Sequence, residues 1–324
     1  MCAPMLNLFP ERIPLNMDTS VILNQMIILF IMIFIGYFLF KAGIITPEFN
    51  RLLTKLILNL TMPCLILNSV LQSSGDRNYK TVLLVFGIAI AMYIILPIIS
   101  TIIIKLFHFP KPQQELYIFM MIFSNVGFMG FPLIAAVYGD GAVFYTAIFN
   151  IIFNLSSFTF GIWLISHGTS IKITFTVKRL LTPGVIFSLL AIVLYFLNIN
   201  LPQVIVSPIN SIGAMTTPLA MLVIGSTLAT MKIRDIFNDW HVYPFALIKQ
   251  IMLPFLLYPV IHYFITDDLI LGITFIMLLV PVANTSVLFA TEYGNDEQLA
   301  AKNVFITTLL SVITVPLMVY LCMK

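Results

Sequence analysis

Apolar residues run through this chain in ten stretches, each close to the roughly 20 residues that a helix needs to cross the hydrocarbon of a bilayer. The first five lie near 21–42, 49–71, 80–106, 115–138 and 142–166. The second five lie near 182–199, 203–230, 240–264, 268–293 and 298–322. The breaks between them are short, so no folded soluble domain fits between spans. Soluble domains carry about 25% charged residues, whereas this chain of 324 residues carries 9%. A surface so poor in charge belongs in lipid. The run from Val21 is too long for the core of a signal peptide, and no small-residue cleavage site follows it. The sequence reads as an all-α integral membrane protein, with residues 1–20 as a short N-terminal tail.

The placement of charge sets the expected orientation. One set of alternate connections carries Lys41, Arg51, Lys55, Lys105, Lys111, Lys172, Lys178, Arg179, Lys232, Arg234 and Lys302. The other set carries Arg12, Arg77, Lys80 and Lys324. Loops rich in Lys and Arg stay on the cytoplasmic side, which puts both termini on the extracytoplasmic face of the plasma membrane. A missed or extra span would destroy this alternation, so the skew supports ten. The net charge of +3 is small and no basic cluster forms, which argues against a nucleic-acid reader. Cys2, Cys64 and Cys322 form no metal-ligand spacing and no disulfide framework. Neither a metal nor another cofactor is called for.

Two short matches relate the halves. Thr61-Met62-Pro63 in the second run corresponds to Thr216-Thr217-Pro218 in the seventh. Tyr138-Gly139 after the fourth corresponds to Tyr293-Gly294 after the ninth, at the same offset of 155 residues. Each half holds an odd number of spans, so the second must be inverted relative to the first. The expected architecture is ten transmembrane helices in two inverted five-helix repeats. These are residues 21–166 and 182–324, joined by a cytoplasmic loop at 167–181. Inverted repeats are common among secondary transporters.

The fourth run is weakened near its centre by Ser124-Asn125-Val126-Gly127-Phe128-Met129-Gly130-Phe131-Pro132. Pro132 removes the N–H that the Phe128 carbonyl would use in a regular helix. The ninth run is weakened at the corresponding place by Val280-Pro281-Val282-Ala283-Asn284-Thr285. One such break is an ordinary proline kink. Two at matching spans, each with an Asn beside it, point to a transport site. The second half-helices are expected to start near Pro132 and near Asn284, and to present free N–H groups and positive dipole ends at mid-membrane. Such ends attract anions, and the amides of Asn125 and Asn284 add donors without a permanent charge. Each dipole end is worth about 1–2 kcal/mol and each hydrogen bond to a charged group about 1.5–3 kcal/mol. Together these roughly offset the several kcal/mol lost in desolvating a carboxylate. Weak, reversible anion binding is the expected result. The substrate-binding set is therefore Asn125, Gly127, Gly130, Pro132, Asn154, Pro281, Asn284 and Thr285, supported by Pro63, Asn150 and Lys249.

Asn150 and Asn154 lie in the fifth run, which should pack beside the broken fourth; interhelical hydrogen bonding is the alternative reading for both. Lys249 lies inside the eighth run. An ionisable residue at that depth is either functional or snorkels to the interface. No span centre carries an Asp or Glu, so no carboxylate relay for protons or Na⁺ is visible. No G-x-S-x-G, H-E-x-x-H or P-loop is present, and no enzyme activity is expected.

The run Ser124–Leu133 closing at Tyr138-Gly139, the run Pro281–Asn284 leading to Phe289–Gly294, and Leu60-Thr61-Met62-Pro63 together resemble the auxin efflux carrier family. The similarity extends over roughly 21–322. The lack of a long central loop resembles the microbial branch with malate and malonate permease-like proteins. The resemblance implies that the fourth and ninth helices cross at their broken segments and that organic anions bind there. It assigns Asn125 to a substrate carboxylate and Asn154 to its support. Plant-type members also use an Asn just after a Pro at the start of the sixth helix. Here Thr182-Pro183 is followed by Gly184, which points to a ligand other than auxin.

The expected function is a carrier or facilitator for small organic anions, a dicarboxylate such as malate or an auxin-like carboxylate, by alternating access. The alternative is a membrane receptor that binds a ligand without translocating it. The partners expected are the organic anion, H⁺ or Na⁺ as a coupling ion, and membrane lipid, with a homodimer as one option for assembly.

Overall fold

A computed structural model describes residues 19–71, 79–167, 181–197, 201–230, 240 and 242–323. The tail up to residue 18, most of the 167–181 connection, and Arg12, Arg77, Lys172, Lys178, Arg179, Lys232, Arg234 and Lys324 lie outside the described residues. Every apolar run is helical. The helices are α1 (Thr19–Lys41), α2 (Pro47–Leu71), α3 (Tyr79–Leu106), α4 (Gln114–Ile122), α5 (Val126–Tyr138) and α6 (Asp140–Ser166). They continue with α7 (Pro183–Leu197), α8 (Gln203–Ala229), α9 (Val242–Phe264), α10 (Asp268–Leu279), α11 (Thr285–Glu292) and α12 (Glu297–Cys322). Among the described residues, seven helices are long and apolar enough to cross a membrane: α1, α2, α3, α6, α8, α9 and α12. α5, α7 and α10 are shorter apolar helices. The protein is a multi-pass membrane protein.

Helix ends follow local chemistry. Thr46 caps α2 by accepting from the Phe49 N–H at 3.2 Å, with Pro47 in the first turn. Asp267 and Asp296 cap α10 and α12 in the same way, at 3.0 and 2.9 Å. The paired Tyr-Gly motifs end α5 and α11, with Gly139 at φ 81° and Gly294 at φ 68°. That left-handed conformation favours glycine.

Burial sorts the helices. α1 and α3 leave Ile31, Phe38, Leu83 and Ile98 exposed, as lipid-facing helices do. In α4 every residue from Leu116 to Ile122 is buried, and in α10 every residue from Ile270 to Leu279. A helix that is apolar and enclosed on all sides belongs to the core. The two broken runs, α4–α5 and α10–α11, therefore lie at the centre of the molecule.

Three of the four wide π-helical turns among the described residues, Ile57–Thr61, Val126–Gly130 and Ile248–Met252, each end two residues before a proline: Pro63, Pro132 and Pro254; the fourth, Ser157–Gly161, precedes none. A proline ring collides with the carbonyl four residues back and offers it no N–H. In all three cases that carbonyl lies inside the π turn. Widening the turn moves it off the ring, and the helix continues. Pro132 thus does not start the second half-helix, as the sequence led us to expect. The fourth run breaks earlier, at Phe123–Asn125, and α5 begins at Val126. The ninth run breaks at Val280–Asn284 and α11 begins at Thr285, as anticipated.

The two breaks meet in an antiparallel β-bridge between Ser124 and Val282. The Asn125 N–H donates to the Pro281 carbonyl at 2.7 Å, and the Ala283 N–H donates to the Phe123 carbonyl at 3.0 Å. The Val282 N–H is satisfied by the Thr307 hydroxyl of α12 at 3.2 Å. Each interruption thereby supplies the partners that the other lacks.

α1 and α8 approach at backbone distance. A Cβ on Gly225 would stand 1.9 Å from the Ile33 carbonyl oxygen, and one on Gly36 would stand 2.4 Å from that of Leu222. Neither obstruction is a flexible side chain, so the helices must separate to admit a methyl group. Gly225→Ala is expected to destabilise the protein by about 1–3 kcal/mol, as overpacking does. Thermal unfolding of the detergent-solubilised variant measures this, and an unchanged midpoint would refute the close approach.

Candidate functional site

A cavity of about 290 Å³ opens at the crossing. Its walls include Ser124, Asn125 and Gly127 from the first break and Asn284 and Thr285 from the second. α6 contributes Asn150, Phe153, Asn154 and Phe158, and the start of α7 contributes Thr182, Pro183 and Gly184. α2 contributes Asn59 and Met62. Among the described residues, those lining it include no Lys, Arg, His, Asp or Glu.

Asn125 is 4% exposed and caps α5, its Oδ1 accepting from the Phe128 N–H at 3.2 Å. Its Nδ2 is buried with no partner. The Thr285 hydroxyl is likewise buried and unpartnered. Asn284 stands at the N-cap of α11 but makes no side-chain capping bond, which leaves its amide to the cavity. Orphan polar groups at this depth cost about 1–3 kcal/mol each; a ligand that bonds to them recovers that cost. Gly127 lines the same wall with only the Met62 methyl near, at 3.6 Å from an added Cβ, so the backbone is open there.

A second cavity of about 590 Å³ shares Phe128, Asn284 and Leu288 with the first. Thr54, Thr227, Thr230, Thr291, Glu297 and Gln298 line it further out. It leads from the crossing toward the face that carries the connections 42–46 and 293–296. On the opposite face the Asn68 amide of α2 donates to Asp140 at the start of α6 at 3.3 Å, and to Asn210 of α8 at 3.2 Å. The molecule is open to one side of the crossing and tied together on the other.

Residues 21–173 and 166–319 match the family described as membrane transport protein. The chain belongs to that family, the auxin efflux carrier family. An uncharacterized transporter of Methanocaldococcus jannaschii is 20% identical over 303 residues, covering 91% of this chain and 97% of the relative.

Within this membrane transport protein, Asn125, Gly127, Asn150, Asn154, Asn284 and Thr285 come together at one cavity. Pro281 is at the crossing through its carbonyl. Gly130 and Pro132 are not among the lining residues; both are buried, and an added Cβ on Gly130 would touch the Met277 side chain at 3.0 Å. Their part in the sequence motif is to shape α5. Pro63 is buried in α2, next to the lining Met62. Lys249 is fully buried: its ammonium donates to the Ser124 hydroxyl at 2.8 Å and to the Leu278 carbonyl at 3.5 Å. It does not snorkel to an interface.

The departure at Gly184 has a local cause. A Cβ there would stand 3.2 Å from Asn150 Nδ2. Asn154 donates to both the carbonyl and the Oδ1 of Asn150, at 2.7 and 3.2 Å, which orients the Asn150 amide. Asn150 thus occupies the space that a side chain after Pro183 would fill. Sequence reading missed Ser124, Phe153, Phe158 and Thr182 as wall residues. Ser124 carries a signal in retrospect, since it precedes Asn125 as Ala283 precedes Asn284.

In a background without Cys2, Cys64 and Cys322, Asn284→Cys is expected to react with a charged thiol reagent. The reagent should gain access only from the side of the 42–46 and 293–296 connections. Ile134→Cys, fully buried in α5, should stay unmodified. Equal labelling of both would contradict the cavity described here.

Proposed function

We propose that this protein is a secondary transporter or facilitator of small organic anions, working by alternating access in the plasma membrane. The observation that carries the reading is the pair of unpartnered polar atoms, Asn125 Nδ2 and Thr285 Oγ1, at the starts of two half-helices that meet in one cavity. Half-helix starts aim partial positive charge at that cavity. Amide and hydroxyl donors add hydrogen bonds without a strong fixed charge on the wall, which suits a ligand that must also leave. The family match and the archaeal relative support transport as the activity.

The finer architecture belongs to the same proposal. Ten helices form two inverted five-helix repeats, 21–166 and 182–324. The equal offsets of the Thr-x-Pro and Tyr-Gly motifs support this, as do the two stretches of family similarity, which meet near residues 166–173. The basic connections lie on the cytoplasmic side and both termini outside. The wide cavity then faces the cytoplasm, and the Asn68–Asp140–Asn210 contacts close the outer side. Exchange of these two arrangements moves the ligand across the membrane.

Counterflow in proteoliposomes tests the proposal. Saturable exchange of a labelled organic acid is expected for the wild type. Asn125→Ala removes a donor from the site while leaving the β-bridge, which uses only main-chain atoms. Uptake should fall to background with expression and monodispersity unchanged. Ligand binding without any flux would defeat the transport reading, and unchanged kinetics in Asn125→Ala would remove that residue from the site.

A further inference from the structure

The geometry points to a charge selector: Ser124 is a substrate-contacting hydroxyl, Lys249 is the positioning residue and counter-charge behind it, and together they select carboxylates with a single negative charge. This rests on the reading of the crossing as an anion site.

Lys249 is fully enclosed. Its acceptors are neutral oxygens, the Ser124 hydroxyl and the carbonyl of Leu278 in the last turn of α10. The C-terminal end of a helix carries only about half an elementary charge, so α10 compensates the ammonium in part. Among the described residues no carboxylate bonds to it. The acids on the helices packed nearest, Asp268 of α10 and Glu297 of α12, stand in the first turns of those helices, far along the chain from Leu278 and Thr307. An ammonium without an acid partner in hydrocarbon costs several kcal/mol. A protonated Lys249 therefore leaves a positive charge that an anion in the cavity would balance, and a bound anion in return favours the protonated form.

Hydrogen-bond chemistry directs where the balance comes from. An ammonium only donates, so the Ser124 oxygen must act as acceptor toward Lys249. The hydroxyl proton of Ser124 is thereby turned away from Lys249. Ser124 lines the cavity, and among the described residues its proton has no acceptor of its own. It joins the unpartnered Asn125 Nδ2. A hydroxyl that accepts from a cation is polarised toward donation. A carboxylate reaching Ser124 from the cavity completes the chain Lys249–Ser124–anion.

The charge count then sets selectivity. Among the described residues, the cavity walls add no further cation and no anion. One negative charge leaves the loaded site neutral. A dianion leaves an uncompensated charge in a cavity of about 290 Å³, and a neutral isostere leaves the ammonium unbalanced. Both are disfavoured relative to the monoanion.

Titration calorimetry on the purified protein at neutral pH tests this with probes that share a carbon skeleton. Suitable sets are propanoate, propanamide and malonate; butanoate, butanamide and succinate; and hexanoate, hexanamide and adipate. In at least one set the monocarboxylate should bind about tenfold or more tighter than both the amide and the dicarboxylate, as expected for a hydrogen bond to a charged group. Lys249→Met should collapse the preference of acid over amide to about twofold or less, and Lys249→Arg should retain part of it. Ser124→Ala should weaken the acid about tenfold without changing the amide, and should add nothing further in the Lys249→Met background. A purely structural Lys249 would move affinity for all three probes together. Should Lys249→Met not fold, the Ser124→Ala comparison decides alone. The inference is overturned if the variants keep wild-type discrimination, if dicarboxylates bind best in every set, or if no monocarboxylate binds. Dicarboxylate flux without monoanion preference would sink the selector and leave the carrier standing. Absence of any anion flux would sink the carrier itself.

Discussion

Main-chain N–H and C=O groups inside a bilayer have no water to bond to, and the rest of this structure depends on how two interrupted helices meet that constraint. An open end in hydrocarbon costs several kcal/mol for each unsatisfied group. Here each interruption satisfies the other, through Asn125 to Pro281 and Ala283 to Phe123. Neither break is stable without its counterpart, so a site assembled from both halves of the chain comes with the fold. Aromatic packing holds it from one side, where Phe123 meets Phe153 edge to face at 5.7 Å.

The prolines tell a complementary story. Pro63, Pro132 and Pro254 would each be expected to interrupt a helix, yet a wide turn ahead of each lets the helix run on. The true interruptions are placed by Ser124-Asn125 and by Pro281 with Asn284. Lys249 is in one of the wide turns. It is fully buried there, in a helix that leaves Phe255 and Leu256 exposed.

Much of the fold was legible in the sequence because its governing quantity, apolar length, is one-dimensional. All ten runs are helical within a few residues of their expected limits, and both breaks fall in the right runs. What was not legible required knowing partners. The start of α5 was set too late because Pro132 is conspicuous, whereas the bridge that ends α4 involves a segment more than 150 residues away. Gly127 and Gly130 look equivalent in the motif, but one lines the cavity and the other meets Met277. Lys249 was ambiguous for the same reason, since only the position of Ser124 shows which way it turns. Asn150 fills space that Gly184 leaves free, a pairing that no linear pattern reveals.

Hydrogen bonds tie the closed face together. They include those of the Asn68 amide, shared between Asp140 and Asn210, at 3.3 and 3.2 Å, and Asn210 is itself exposed. Hydrogen bonds of this kind are worth about 0.5–1.5 kcal/mol each, only a few times thermal energy. On the proposed reading, opening the outer side must break these bonds, a cost that thermal motion can meet.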